Sequence, residues 1–526
     1  MSMSITNIVT VVVVLLSVVL VVLLQPPPTP SSPTTPPTTS SPTTTPLSPT
    51  TLEKSFLSGF AEHYNVSSFQ QIPTHQYDLN ISQHLQTLVQ QSRSYPFLLQ
   101  SSPAQYWPAL SKWKDPTYLT NKLNNTPLRR VTTVLSQFPY VYAVDKRPLP
   151  RLDRSYQTAW WQHTRKNQSS FATFMSRCDV QSKFYDYVQG WNGDFATLSK
   201  DIYPTEWMDM NMNINMNMNM NSYAANTTAS KRQVWVGCRR HAGSHVHFDH
   251  SHNIITQLVG RKRFILSPPT EWDKFNDSPR LSRFVSFSTR NFTRHRQQHH
   301  HHHQQHQQIQ KSMDVILQPG DTLYIPPFWW HHVIAMDDGL TIGTNTFQHD
   351  PRIQLPTLLS MPLPTYVHKM PGKSEIYRRT ATLCMLTFML KQILIQSTQS
   401  SSHFLQRVYR NRYLGNEQNG KQHLQISCRV HPQDCSQMFS PQLKTNQSSF
   451  LSIILPKLEL EDLQKHQIGA FHRWKSNNEQ YALPSDTAVQ MMLADYVEEL
   501  LAYVVGPRKV CHFLQCAEKA VVELFT

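Results

Sequence analysis

Apolar residues follow several distinct rhythms along this chain. From Asn253 to Val259, and again from Lys262 to Ser267, β-branched and aromatic residues run on either side of Gly260-Arg261, and Pro268-Pro269 close the second run. That pattern predicts two strands joined by a tight turn. Leu317 to Ile334 repeats it, with Pro319-Gly320-Asp321 as a turn feeding a buried strand. Thr380–Ile395 and Thr487–Val504 instead space their apolar residues as helices do. Residues 53–90 read as a mixed, mostly helical lead-in. A different rhythm again, an uncharged run of Val and Leu, spans the 17 residues from Ile8 to Leu24. It reaches the short end of a membrane-spanning helix and exceeds most signal-peptide cores. No small-x-small cleavage site precedes Gln25-Pro26-Pro27-Pro28, so an uncleaved signal anchor is expected, with a cleaved signal as the runner-up.

Where the rhythm is lost, composition takes over. Pro26 to Thr51 is almost wholly Pro, Thr and Ser, which cannot build a core and resembles an O-glycosylated stalk. Met208–Asn221 alternates Met and Asn, and Arg294–Gln310 is dominated by His and Gln. Both lie between strand-like blocks and are expected to bulge out as loops. The net charge of +15 and pI near 9.4 invite a nucleic-acid reading. The basic residues are scattered in twos and threes, as at Arg129-Arg130 and Arg261-Lys262-Arg263, and no RNA-binding signature accompanies them. A generally basic surface is the better account, and nucleic acid is not expected as a partner.

Asn-x-Ser/Thr sequons stand at Asn65, Asn80, Asn124, Asn167, Asn226, Asn276, Asn291 and Asn446. With the anchor and stalk they favour a single-pass protein of the secretory membranes (ER/Golgi), its remaining domain lumenal and glycosylated. The 7 Cys neither confirm nor exclude this. Cys511 and Cys516 fall at i and i+5 of an expected helix, too far apart to bridge each other. Cys428 and Cys435 form the more plausible pair in an oxidising compartment.

Candidate chemistry concentrates in two blocks. His247-Phe248-Asp249 is a His-x-Asp pair, and Trp329-Trp330-His331-His332 follows much later. On an extended strand residues i and i+2 face one side, so His247 and Asp249 can share a metal. A second His from a strand folded back over them completes a 2-His-1-carboxylate facial triad, which holds Fe(II) and leaves positions open for a cosubstrate and O2. Strand parity leaves His331 and His332 as alternatives for the third ligand. Counting back from Leu266 puts Phe264 and Lys262 on one face. A Lys on an otherwise apolar inner face is costly unless an anion meets it, and a single carboxylate suits its point charge.

These blocks resemble the JmjC (cupin-like) family of Fe(II)- and 2-oxoglutarate-dependent oxygenases. Within it they look closest to the small protein-hydroxylase branch typified by the factor inhibiting hypoxia-inducible factor. Further family-like features are Pro96-Phe97-Leu98-Leu99, Trp107 to Trp113 with Asp115 and Tyr118-Leu119, Tyr185 to Gln189, Val234 to Gly237, and Gly339 to Asn345. The resemblance implies a mainly β double-stranded β-helix, a cupin-like jelly roll, over 91–350 with insertions at 208–221 and 294–310. A C-terminal mostly helical region at 351–526 would follow, with the anchor at 8–24 behind a short tail at 1–7 and the stalk at 25–52. It implies His247, Asp249 and His331 as iron ligands, His331 being chosen because it directly follows the tryptophans. Lys262 would hold the distal carboxylate of 2-oxoglutarate, helped by Ser244 and Tyr187. Asn253 and Asn345 match positions near the chelating end of that cosubstrate, and Gln189 one near the substrate. The implied activity is a dioxygenase hydroxylating a protein side chain, with a possible homodimer through the C-terminal helices. N-methyl lysine demethylation is the enzyme alternative, disfavoured by the lack of a reader domain or nuclear signal. An inactive, membrane-anchored cupin-like scaffold is the non-enzyme alternative.

Overall fold

The structure is a computed structural model. It describes residues 66–76, 95–123, 126–135, 164–178, 182–191, 195–203, 231–282, 285–289, 309, 311–348, 374–394, 400–414, 435, 437–439, 468–469, 471–472 and 486–525. The expected anchor at 8–24, the stalk at 25–52, the 208–221 insertion, nearly all of the 294–310 insertion and Cys428 lie outside the described residues. Among the described residues no helix is long and apolar enough to cross a membrane. All described residues belong to the unit Glu53–Thr526.

Two sheets make up the frame. The smaller contains β1 (Phe69–Gln71), β9 (Lys262–Ser267), β10 (Ser312–Leu317) and β12 (Trp330–Ala335), in the order β1-β10-β9-β12. The larger is built from β2 (Thr74–Gln76), β3 (Phe97–Gln100), β4 (Leu128–Leu135), β5 (Thr164–Ser169), β6 (Phe184–Trp191), β7 (Lys231–Gly237), β8 (His252–Val259), β11 (Thr322–Ile325) and β13 (Thr341–Gln348). Its order is β2-β3-β11-β8-β13-β7-β6-β4-β5. This is the expected jelly roll. The turn at Gly260 (φ +64°) does not close a hairpin, because β8 pairs with β11 and β13 while β9 pairs with β10 and β12. The turn carries the chain from one sheet to the other, and alternate residues on both strands therefore meet between the sheets.

Alternation sorts the side chains into layers. Ile72, Leu98, Ile255, Phe264, Leu266, Leu323 and Ile325 cluster between the sheets. Ile254, Leu258, Val234, Val236 and Ile342 point the other way and pack with Trp107, Trp113, Leu119, Phe171 and Phe174 from the helices α1 (Ala109–Lys112), α2 (Pro116–Leu123) and α3 (Phe171–Ser176). On the far side of the smaller sheet Val246, Phe248, Ile265, Trp330 and Ile334 join one core with the C-terminal helices.

The lead-in, expected to be mixed and mostly helical over 53–90, is described only at 66–76. Its described part supplies β1 and β2, which pair in parallel with β10 and β3 at an edge of each sheet. Pro73 separates the two short strands, and Ile72 enters the core between the sheets. The strand framework thus begins before residue 91. After α4 (Trp272–Phe275), the expected C-terminal helices are present as α5 (Glu375–Ile393) and α7 (Asp486–Val505), with α6 (Ser401–Tyr409) and α8 (Val510–Phe525) beside them. Ser374 and Ser400 cap α5 and α6, each accepting a hydrogen bond from the backbone N–H three residues on. These helices share their core with the back of the smaller sheet rather than forming a region apart.

The disulfides correct another expectation. Cys435 bonds Cys516, not Cys428, and Cys178 bonds Cys238. Cys511 is also disulfide-bonded, with a partner outside the described residues. Sequence spacing could not reveal this because the packing of α8, not proximity along the chain, decides which sulfurs meet.

A buried charge cluster knits the helices to the β domain. Arg412, 1% exposed, pairs with Asp277, Asp495 and Glu498, and Arg280 reaches Asp495 and Glu499. Burial opposes charge on all of them. For Asp495, Arg280, Arg412 and His250 outweigh it and hold the carboxyl well below the usual range, whereas burial wins at Asp277 and Glu498 and raises them. Removing one partner of a buried network leaves uncompensated charge and costs about 3–5 kcal/mol. Arg412→Met is therefore expected to lower the thermal unfolding midpoint sharply. Lys509→Met, which removes a half-exposed partner of Glu375, should change stability by no more than about 1 kcal/mol. Calorimetry of the two variants checks the contrast.

Candidate metal centre

The segment leading into β8 was expected to be a regular strand; it is extended but irregular. Main-chain bonds hold it against β12: Ala335 N–H donates to Ala242 at 2.8 Å, and His247 and His331 exchange N–H to carbonyl bonds of 3.1 and 2.7 Å. Between these anchors the register slips. A Cβ at Gly243 would lie 1.8 Å from the Val333 carbonyl oxygen, so only glycine permits the approach. His332 mends the gap, its Nδ1 donating to the Ser244 carbonyl at 2.5 Å. The parity ambiguity thus resolves with a role for each His: His331 faces the interior, and His332 secures the segment that carries the other ligands.

His247, Asp249 and His331 come together with one ligand atom from each, all within 4.8 Å of one another. His331 Nε2 and Asp249 Oδ2 are 3.5 Å apart, near the ~3 Å expected of adjacent ligands with bonds of ~2.1 Å. His247 Nδ1 donates to the His245 carbonyl at 2.7 Å and His331 Nδ1 to the Trp329 carbonyl at 3.0 Å. Carbonyls only accept, so both protons sit on Nδ1, and Nε2 is the unprotonated nitrogen that each ring would offer a metal. Burial, then the neighbouring His331, pushes the His247 imidazole well below its ordinary pKa and keeps it neutral. The Asp249 main chain is pinned by Phe328 N–H at 2.8 Å, Phe328 being held at φ +64°.

Asn253, Asn345 and Lys262 connect to this cluster through side-chain and main-chain hydrogen bonds. Asn253 Nδ2 donates to Asp249 Oδ2 at 3.0 Å, Asn345 Nδ2 to Asn253 Oδ1 at 2.8 Å, and Trp235 Nε1 to Asn345 Oδ1 at 2.8 Å. Gln189 Nε2 bonds Gln233 Oε1 at 3.3 Å. Lys262 is 3% exposed, with its Nζ 3.4 Å from Tyr187 Oη and 3.5 Å from the Trp235 carbonyl. Among the described residues no carboxylate pairs with it, and burial lowers its pKa to about 7. Ser244 Oγ and Gln257 Oε1 are buried with no hydrogen-bond partner among the described residues.

The donor set fits a 2-His-1-carboxylate metal, and the bare cation at Lys262 with orphaned polar atoms nearby in the fold fits an acidic cosubstrate. Gln257, Gln233 and Trp235 escaped the sequence reading. Their signal was present, since polar or amphipathic residues recur at alternate positions on β7 and β8.

Comparison with known proteins agrees with this geometry. The profile described as "Cupin-like domain" matches residues 86–352. The chain belongs to the cupin-like domain family. Jumonji C domain-containing protein 5 of Drosophila melanogaster is 26% identical over 234 residues, covering 44% of this chain and 49% of that protein. Lysine-specific demethylase JMJ32 of Arabidopsis thaliana is 23% identical over 286 residues, 48% of this chain and 75% of the relative. tRNA wybutosine-synthesizing protein 5 of Danio rerio is 28% identical over 112 residues, 19% and 28% of the two chains. The match thus spans about half of the Drosophila relative's length. JmjC members of the cupin-like family are commonly Fe(II)- and 2-oxoglutarate-dependent oxygenases, and this cupin-like chain carries the corresponding His-Asp-His cluster.

The two adjacent histidines separate in a metal titration. His331→Ala should weaken Co(II) binding beyond the ~100-fold upper end for losses outside the ligand set. His332→Ala should lower the unfolding midpoint while leaving a measurable Co(II) site. Equal loss of metal in both variants would reverse the assignment of His331.

Proposed function

We propose that the chain is an Fe(II)- and 2-oxoglutarate-dependent dioxygenase that hydroxylates a protein side chain. The observation that carries this is Lys262, a buried lysine without an acidic partner on the inner face that also holds the His247–Asp249–His331 cluster. His247, Asp249 and His331 would hold the iron, and Lys262, with the Tyr187 hydroxyl beside it, the distal carboxylate of 2-oxoglutarate. Ser244, unpartnered and buried, is the further hydroxyl assigned to that end. Iron with 2-oxoglutarate and O2 supplies the oxidising power, turning 2-oxoglutarate into succinate and CO2 as substrate is hydroxylated. The protein's own part is to keep the His247 imidazole neutral, turn the Asp249 carboxylate toward the metal, exclude water between the sheets and admit substrate on the Asp249 side, where the cluster is least buried. Gln189, bonded to Gln233, would meet a polar side chain of the substrate. The resemblance of its sequence blocks to the small protein-hydroxylase branch supports a protein substrate.

N-methyl lysine demethylation is the second reading, favoured by the name of the Arabidopsis relative. It differs in one product, because hydroxylating an N-methyl group releases formaldehyde. Purified chain supplied with Fe(II), 2-oxoglutarate and candidate protein extracts should release succinate without formaldehyde. Succinate with matching formaldehyde would establish demethylation, and no succinate with any extract would favour a cupin-like scaffold.

Lys262 makes the cosubstrate step pH-dependent. Its free-site pKa of about 7 lies below the ordinary value, and a bound carboxylate raises it again. Below pH 7 the ammonium is already protonated and binding takes up no proton through it. Above pH 7 binding must take one up, so 2-oxoglutarate affinity should fall about tenfold per pH unit. Anaerobic calorimetry in buffers of different ionisation enthalpy, with the metal site filled by Mn(II), reads that proton directly. Lys262→Ala should bind 2-oxoglutarate weakly at every pH and keep its Mn(II); unchanged binding in this variant would remove Lys262 from the site.

We place the domain in the secretory lumen, behind the expected anchor. The Cys178–Cys238 and Cys435–Cys516 disulfides and the bonded Cys511 support an oxidising compartment. Denatured without reductant, the protein should titrate one thiol of its 7 Cys, Cys384; more would speak for a reducing compartment.

A further inference from the structure

We infer that Trp235 helps set the direction of a hydrogen-bond relay that orients Asp249, so that Trp235 and Asn345 are positioning residues for the metal. This rests on the metal-centre reading above and adds residues that never touch the ion. The relay crosses three neighbouring strands of the larger sheet, from β7 through β13 to β8. It runs from Trp235 Nε1 to Asn345 Oδ1 (2.8 Å), from Asn345 Nδ2 to Asn253 Oδ1 (2.8 Å), and from Asn253 Nδ2 to Asp249 Oδ2 (3.0 Å).

Each amide in this chain has two ways round, and the two ends select the same one, because the Asp249 oxygen accepts from Asn253 and the indole can only donate. An indole N–H can only donate, so Asn345 must turn its oxygen to Trp235 and its nitrogen to Asn253. Asn253 must then offer its own nitrogen to Asp249. With the indole donor gone, only the Asp249 end still selects, and both amides can turn together, since a flipped Asn345 meets a flipped Asn253 equally well. The flipped pair aims Asn253 Oδ1 at the Asp249 carboxylate, acceptor against acceptor. Asp249 would then lose the donor that fixes its rotamer. Asn345 and Asn253 are both buried, so water offers little replacement. The expectation that these two asparagines serve the chelating end of the cosubstrate thus gains a prior role, turning the carboxylate ligand toward the metal.

The test uses Mn(II) alone, without cosubstrate, on the full chain. Trp235→Phe keeps an aromatic ring beside Tyr187, whose centroid lies 6.1 Å from the indole, and removes the donor with the fused five-membered ring. It should weaken Mn(II) binding about tenfold, the lower end for losses outside the ligand set, with the unfolding midpoint of the metal-free protein little changed. Asn345→Leu should weaken it at least as much. Because the indole acts through Asn345, adding Trp235→Phe to Asn345→Leu should cost nothing more. Wild-type Mn(II) affinity in Trp235→Phe, or losses that multiply in the double variant, would overturn the relay. Wild-type protein that binds no Mn(II) would overturn the metal centre itself, and the relay with it. Should Asn345→Leu fail to fold, the Phe variant alone decides.

Discussion

The site depends on one pair of main-chain bonds, those exchanged by His247 and His331. They fasten an irregular segment to the edge of the smaller sheet and bring the two imidazole rings to 4.1 Å between centroids. The register slip beside them has two supports, the missing Cβ of Gly243 and the His332 side chain on the Ser244 carbonyl. Main-chain geometry thus does the work that ligand spacing alone cannot. A His-x-Asp pair is common in a chain with 26 His; one fixed against a third ligand on a paired strand is not.

Around that pair, strand alternation divides labour between faces. Outward residues of the larger sheet are apolar and pack under the N-terminal helices, and those of the smaller sheet share a core with the C-terminal helices. Inward residues change character along the interior, from Leu and Ile at one end to Tyr187, Gln189, Gln233, Trp235, Asn253, Lys262 and Asn345 at the other. Water is excluded by the apolar end and by the layers on both sides, while the polar end is stitched side chain to side chain. The C-terminal helices also reach the ligands' neighbourhood, because Asp495 of α7 holds the His250 ring at 3.2 Å, one residue beyond Asp249.

Much of this was legible in the sequence because local signals and the fold agreed. Pro319-Gly320-Asp321, Gly260 and Pro268-Pro269 punctuate strands whose bounds they fix closely. Lys262 was recognisable as an inward cation by counting back from Leu266, since a period of two survives any tertiary arrangement. The choice between His331 and His332 was not legible from parity, because a register slip in a different segment assigns their roles. Nor were the disulfides, which the packing of α8 decides, or β1 and β2, whose three residues each are too short to show a period. The asparagine relay was hidden for a related reason. Its members sit on three strands, and only the order of the sheet brings them into line.

The strongest functional signal lies in how the fold treats its two most buried cations. Arg412 meets Asp277, Asp495 and Glu498, so that its charge is answered from within the chain and its ionised form is favoured despite burial. Lys262 meets a tyrosine hydroxyl and a main-chain carbonyl, neither of which carries charge, and burial draws its pKa down to about 7. A fold able to surround one cation with acids could have done so for the other or replaced it with an apolar residue, which costs less than an unanswered charge. A lysine kept there without its anion makes physical sense if the anion arrives with a ligand. The carboxylate that completes Lys262 would then enter the interior that Lys262 shares, through Trp235, Asn345 and Asn253, with the Asp249 side chain of the His247–Asp249–His331 cluster.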